Sequence, residues 1–115
     1  MTPRTPITGE EVADVLERAA DLIAKPGAWT QGNYARDAAG EGLHDGFNPA
    51  AVCWCAYGAI EKVTNEGMGG DLRNAAANAI PWGPFWNDAP ERTQAKVVAA
   101  LRSAATAARQ QGEVA

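Results

Sequence analysis

Apolar positions recur along this chain at helical spacing in four separate stretches. Val12, Val15, Leu16, Ala19, Leu22 and Ile23 form one stripe, while Asp14, Glu17, Arg18, Asp21 and Lys25 fall elsewhere. That is the signature of an amphipathic helix. Thr8 supplies a cap, Glu11 completes a capping box, and Pro26-Gly27 stops the helix. Asn48-Pro49 reads as a second cap, opening a helix to about Val63 with Val52, Ala56, Ala59, Ile60 and Val63 on one face and Cys53 and Tyr57 beside it. On that helix Trp54 points about 160° from the middle of the stripe, so another element must cover it or it is exposed. Asp71 opens a short third helix with Leu72, Ala75, Ala76, Ala79 and Ile80 inward, ended by Pro81 and Pro84. The last pattern, Val97, Val98, Leu101, Ala104, Ala105 and Ala108, predicts a long helix to about Arg109. Asp88 is its expected cap, Pro90 lies in its first turn, and Glu91 stands three residues after the cap.

Residues 28–47 carry no helical stripe. Asp37-Ala-Ala-Gly40 reads as a tight turn, which predicts a short hairpin with Trp29 to Arg36 facing Glu41 to Asp45; a polar loop is the alternative. The expected fold is therefore mainly α: a compact four-helix domain with a short β-hairpin or irregular loop between helices 1 and 2. Residues 1–7 read as a flexible N-terminal arm, 8–109 as one helical domain and 110–115 as a frayed tail.

Composition narrows the function classes. The chain has 115 residues, enough for one core, and 46% are hydrophobic, much of that alanine. The net charge of -4 argues against general nucleic-acid binding, which needs a basic surface. No apolar run approaches a membrane span or a signal peptide, so a cytoplasmic location is expected. On a continuous helix Cys53 and Cys55 would stand about 200° apart, unable to share a metal ion, and His44 is the one imidazole in the chain. Neither a metal nor a cofactor is implied. A cysteine nucleophile would need a depressed pKa and a base. Asp37, Asp45, Asp88 and Glu91 lie in or beside loops, where turns and caps claim such residues as readily as acid–base chemistry does.

Two groups stand out as candidate binding residues. Arg36, Arg92, Asn87 and Thr93 suit either the grip of an anionic group or a structural staple, with Arg36 pairing to Asp88. Trp29, Trp54, Trp82 and Trp86 are an unusual aromatic load for this length; they suit a satellite core, a ring-binding pocket or hot spots for a protein partner.

The order Trp29-x-Gln-Gly-x-x-Ala-Arg-Asp37, Cys53-Trp-Cys-Ala-x-Gly-Ala59 and Trp86-Asn-Asp-Ala-Pro-x-Arg-Thr93 resembles a family of small uncharacterised proteins from phages and bacterial genomes, a domain of unknown function. The resemblance runs over about residues 11–109 and is least clear at Thr64–Trp82. It implies a stand-alone domain whose hallmark residues gather in one region, and it brings no activity with it. The leading expectation is a phage-type accessory protein acting by binding, for example by blocking a host defence protein. Its expected surface includes Trp29, Arg36, Asp37, Trp54, Trp82, Trp86, Asn87, Asp88 and Arg92, with no assigned catalytic residue. The alternatives are a small-ligand-binding module with a Trp- and Arg-lined pocket, and a small hydrolase using Asp37, Asp88 or Cys55. A homodimer through Trp54 stays open; direct nucleic-acid and membrane contact is not expected.

Overall fold

The computed structural model describes residues 6–111. Most of the expected N-terminal arm and most of the expected C-terminal tail lie outside the described residues. Ile7, assigned to the arm by sequence, is buried in the core.

The fold is mainly α, with a short hairpin between its first two helices. Helix α1 spans Gly9–Ile23. Its capping box forms as the sequence predicts: Thr8 Oγ1 accepts from Glu11 N at 3.1 Å, and Glu11 Oε1 accepts from Thr8 N at 3.4 Å. Helix α5, Gln94–Arg109, lies along α1 in the most extensive helix contact of the fold. Val12, Val15, Leu16, Ala19 and Ile23 of α1 and Val97, Leu101, Ala104, Ala105 and Ala108 of α5 are buried in one core. Small alanines let the two helices close tightly, and the buried branched side chains supply most of the area removed from water. Gln94 Nε2 donates to the carbonyls of Ile23 at 2.6 Å, at the end of α1, and Lys25 at 2.7 Å, just beyond it, where a helix leaves carbonyls without intrahelical partners. Arg102 bridges to Glu17 and Asp21, each at 3.0 Å, along the exposed seam.

The hairpin consists of β1, Ala35–Arg36, and β2, Gly42–Leu43, closed by the predicted Asp37–Gly40 turn. Asp37 Oδ1 accepts from Ala39 N and Glu41 N, and Gly40 takes φ +84°. A third strand, β3 at Cys53–Trp54, pairs antiparallel on the other side of β1, giving the order β2-β1-β3.

β3 overturns the expected second helix. The chain from Asn48 to Cys55 is not helical: Asn48 Oδ1 caps only its own turn, accepting from Ala50 N. Val52 N donates to Arg36 O, Trp54 N to Ala28 O and Cys55 N to Tyr34 O. Those tertiary partners outbid the helical bonds that local pattern alone suggested. Helix α2 therefore runs only over Ala56–Thr64, capped by Cys55 and ended by Asn65 in the left-handed region at φ 54°. Cys53 and Cys55 are not on one helix, and Val52, assigned to the inner stripe, is exposed. Trp54 is buried within the chain: it forms a bridge beside Trp29, and its Nε1 donates to Gly46 O at 2.8 Å.

Helix α3, Asp71–Asn78, starts one residue after its Gly70 cap, so Asp71 sits in the first turn rather than capping it. Its buried residues are Arg73 and Ala76. Arg73 places Nε at 3.0 Å and Nη2 at 2.8 Å from Oε2 of Glu61, which is 1% exposed on α2. Glu61 Oε1 accepts from Gly46 N at 2.9 Å, so one carboxylate ties α3, α2 and the segment before β3 together. Pro84–Asn87 forms a single helical turn, α4.

Breaking a buried pair strands the remaining charge at a cost of about 3–5 kcal/mol. Arg73→Met is expected to lower the unfolding free energy measured in urea by that order, and Glu61→Gln in the same chain to recover part of the loss by removing the stranded carboxylate. A loss under about 1 kcal/mol for Arg73→Met would mean that Glu61 finds solvent instead.

Candidate functional site

The residues singled out by sequence converge on one joint, whose centre is Asn87. Its side chain is buried, and all of its amide's capacity is used. Oδ1 accepts from Trp29 Nε1 at 3.0 Å and from Ala56 N, the first amide of α2, at 3.2 Å. Nδ2 donates to Thr30 O at 3.2 Å and to Asp88 Oδ1 at 3.0 Å. Gln31 Nε2 reaches across to the carbonyls of Asn87 at 2.9 Å and Ala89 at 3.0 Å. Asp88 Oδ1 also accepts from Gly32 N at 2.9 Å.

This use of Asp88 explains why it does not cap α5. With its carboxylate committed to the 29–32 loop, Ala89–Arg92 closes a turn of its own, and Thr93 becomes the cap, accepting from Lys96 N at 3.3 Å. Glu91 then lies outside the helix.

The expected Arg36–Asp88 staple is also replaced. All three guanidinium nitrogens of Arg36 are spent on its own hairpin: Nε on Thr30 Oγ1 at 2.9 Å, Nη2 on Gln31 O at 3.0 Å and Nη1 on Gly40 O at 3.1 Å. Arg36 stiffens the loop, while Gln31, Gly32 and Trp29 fasten it to Asn87-Asp88. Asp37 serves the turn.

Trp82 and Trp86 stack at 4.1 Å between ring centroids, with an interplanar angle of 28°. The Arg92 guanidinium sits 4.1 Å over Trp86, and Tyr57 meets Trp82 edge-on at 6.3 Å. Tyr57 Oη donates to Trp82 O at 3.1 Å. These rings support one another, which is the structural use of surplus aromatics.

A cleft of about 320 Å³ opens beside the joint, lined by Gly32, Asn33, Tyr34, Leu43, His44, Cys55, Tyr57 and Asp88. Of the expected binding residues, only Asp88 is on its wall; Trp29, Arg36, Asp37, Trp54, Trp82, Trp86, Asn87 and Arg92 build the frame behind it or lie outside it. Tyr34 and Leu43 carry no local signal, because their side of the hairpin depends on register, and His44 stands out in the sequence only as the one imidazole. Tyr57 was assigned only to the flank of a helix. Backbones meet closely beside the cleft: a Cβ on Gly58 would strike the Tyr34 carbonyl, and one on Gly46 would strike the Gly58 carbonyl. A second groove, about 410 Å³, lies over Ala24, Gln94, Ala95, Val98, Ala99 and Arg102; its one charged group is already held by Glu17 and Asp21.

Cys55 lines the cleft, but burial pushes its thiol up to about 11, against a weaker opposite pull from the Gly58 and Tyr57 amides; Asp88 and Glu61 raise it further. At neutral pH roughly one such thiol in ten thousand is ionised, so it is no ready nucleophile. Burial also raises Tyr57, which stays a phenol. Among the described residues no group of three or more His, Cys, Asp or Glu is placed to hold a metal ion. Among the same residues no helix is long and apolar enough to cross a membrane.

The sequence profile described as DUF6197, a family of unknown function, matches residues 7–107. The chain belongs to DUF6197. That span takes in every residue of the joint and of the cleft. No curated protein and no solved structure matches the chain.

Removing the Asn87 side chain leaves Trp29 Nε1 and the Ala56 amide without acceptors, at about 1–3 kcal/mol per orphaned group. Asn87→Ala is therefore expected to cost on the order of 3 kcal/mol in urea unfolding, together with a change in tryptophan fluorescence. A Cys55 pKa raised in the fold makes the native state bind its proton more tightly than the unfolded chain does. Its contribution to stability is complete below pH 9 and is lost as pH rises from the ordinary thiol value of 9.0 towards about 11. Iodoacetamide at pH 7.5 should spare Cys55 in folded protein and label it in urea; rapid native labelling at Cys55 would contradict this.

Proposed function

We propose that this DUF6197 protein is a small-ligand-binding module acting through the cleft between the hairpin, the start of α2 and Asp88. One observation carries the reading: a concavity of about 320 Å³, walled by Tyr34, Leu43 and Tyr57, has Asp88, His44 and Asn33 on its lining. Apolar walls with a few convergent polar groups are what small-molecule sites are made of. Its position supports the reading too. Asp88 is held by two donors and its neighbouring loop by Arg36 and Gln31, so the wall is set before a ligand arrives.

A phage-type accessory role that blocks a host protein is the competing reading, supported by the acidic balance of -4 and by the resemblance of the three motifs to phage and bacterial proteins. Such a blocker would be expected to present an exposed aromatic or acidic patch. Among the residues whose burial the structure describes, the exposed large apolar side chains are Val52 and Met68, neither of them aromatic. The hydrolase reading has Cys55 and Asp88 on one cleft, but with the thiol protonated and Asp37 occupied in its turn.

The test is a fragment screen by nitrogen-15 NMR on the full chain, paired with native mass spectrometry of protein recovered gently from cells. Ligands are expected to shift the amides of Gly32, Asn33, Tyr34, Leu43 and His44 together. If no fragment moves them, and the protein instead carries a host protein at fixed stoichiometry, the blocking role replaces this one.

A further inference from the structure

We infer that the cleft is built to take a primary ammonium carried on an apolar or aromatic body. This rests on the ligand-binding reading above and names its ligand class.

The sign of the charge comes first. Among the described residues no Lys or Arg lines the cleft, and the acidic side chain on its wall is Asp88. The arginines of the surrounding frame are engaged elsewhere, Arg36 inside the hairpin and Arg92 over Trp86. An anion entering here would meet the Asp88 carboxylate with no Lys or Arg among the described lining residues to offset it; the one basic ring on the wall is His44. The net charge of -4 draws cations towards the molecule as a whole.

The donor and acceptor pattern then separates an ammonium from a guanidinium. Both hydrogen bonds that the fold makes to the Asp88 carboxylate end on Oδ1, from Gly32 N and Asn87 Nδ2. The two lone-pair directions of that oxygen are thereby filled, and the accepting capacity left for a ligand is on Oδ2. A guanidinium fork gains its advantage by engaging both oxygens, which Asp88 no longer offers; an ammonium needs one. Tyr57 adds a second acceptor. Its hydroxyl hydrogen is committed to the Trp82 carbonyl, so its oxygen can only accept from a ligand. The Tyr34 and Tyr57 rings and Leu43 suit the apolar remainder, with ring faces that also attract a cation.

The test titrates four probes into nitrogen-15-labelled full-length protein: phenethylammonium, the neutral 2-phenylethanol, the anion phenylacetate and phenethylguanidinium. Phenethylammonium is expected to shift the cleft amides with the highest affinity of the four, and phenylacetate to leave them unmoved. Asp88→Asn keeps an Oδ1 acceptor for Gly32 and removes the charge; it should weaken phenethylammonium by roughly tenfold or more. Tyr57→Phe, which leaves the Asp88 contacts untouched, should weaken it by a few-fold and serves if Asp88→Asn fails to fold. The inference is overturned if phenylacetate or 2-phenylethanol binds the cleft as tightly as the ammonium, if the guanidinium binds more tightly, or if the folded variants bind phenethylammonium unchanged. In the first two cases the cleft still binds ligands and the broader reading stands. If none of the four probes moves the cleft amides, the ammonium inference falls, and the fragment screen alone then decides whether the cleft binds anything.

Discussion

The buried amide of Asn87 is the constraint from which the rest of this structure follows. A primary amide offers two donors and two acceptor directions, and here each has a partner on a different piece of chain: the Trp29 indole, the first amide of α2, the Thr30 carbonyl and the Asp88 carboxylate. Buried polar groups are costly when half satisfied and rigid when fully satisfied. The loop before the hairpin, the start of α2 and the turn before α5 are therefore held in one arrangement. A change at any of them disturbs the other two.

That joint sits on an alanine-rich core where large side chains are scarce. α1 and α5 close tightly over small residues, and the remaining stability leans on close backbone approach and on a buried ion pair. Gly58 lets the Tyr34 backbone lie directly against α2, and Gly46 lets its own segment lie against the Gly58 backbone. Glu61 and Arg73 replace what would elsewhere be an apolar contact between α2 and α3. Such a pair adds little over a well-packed hydrophobic alternative, but it tolerates no half-measures once present. It sets the docking of α3 more sharply than Leu72 and Ala75, which are only partly buried, would do.

The aromatic residues and the cleft divide the labour between them. Trp82, Trp86 and Arg92 form a self-supporting stack, and Trp29 and Trp54 are anchored by their indole nitrogens to Asn87 and Gly46. Tyr57 belongs to both parts, edge-on to Trp82 and on the wall of the cleft. The rings that looked like a binding surface thus hold the wall that a ligand would meet. Cys55 illustrates the same economy: its sulfur accepts the Gly58 amide as a helix cap, and its burial keeps it protonated.

Local chemistry sufficed for α1, for the Asp37–Gly40 turn and for the apolar face of α5, because Thr8 with Glu11, the turn aspartate and the heptad-like apolar spacing act within a few residues of themselves. The motif residues Trp29, Gln31, Gly32, Asn87 and Asp88 were also legible as a group. Tertiary structure decided the rest. Residues 52–55 had a helical pattern but became β3 and a cap, since Ala28, Tyr34 and Arg36 offered their backbones partners that no local window contains. Asp88 had the position of a cap but took Gly32, and Arg36 turned inward to Thr30, Gln31 and Gly40. The lining of the cleft was illegible for the same reason: which side of a two-residue strand faces a cavity is set by its register against another strand, and register is a long-range property.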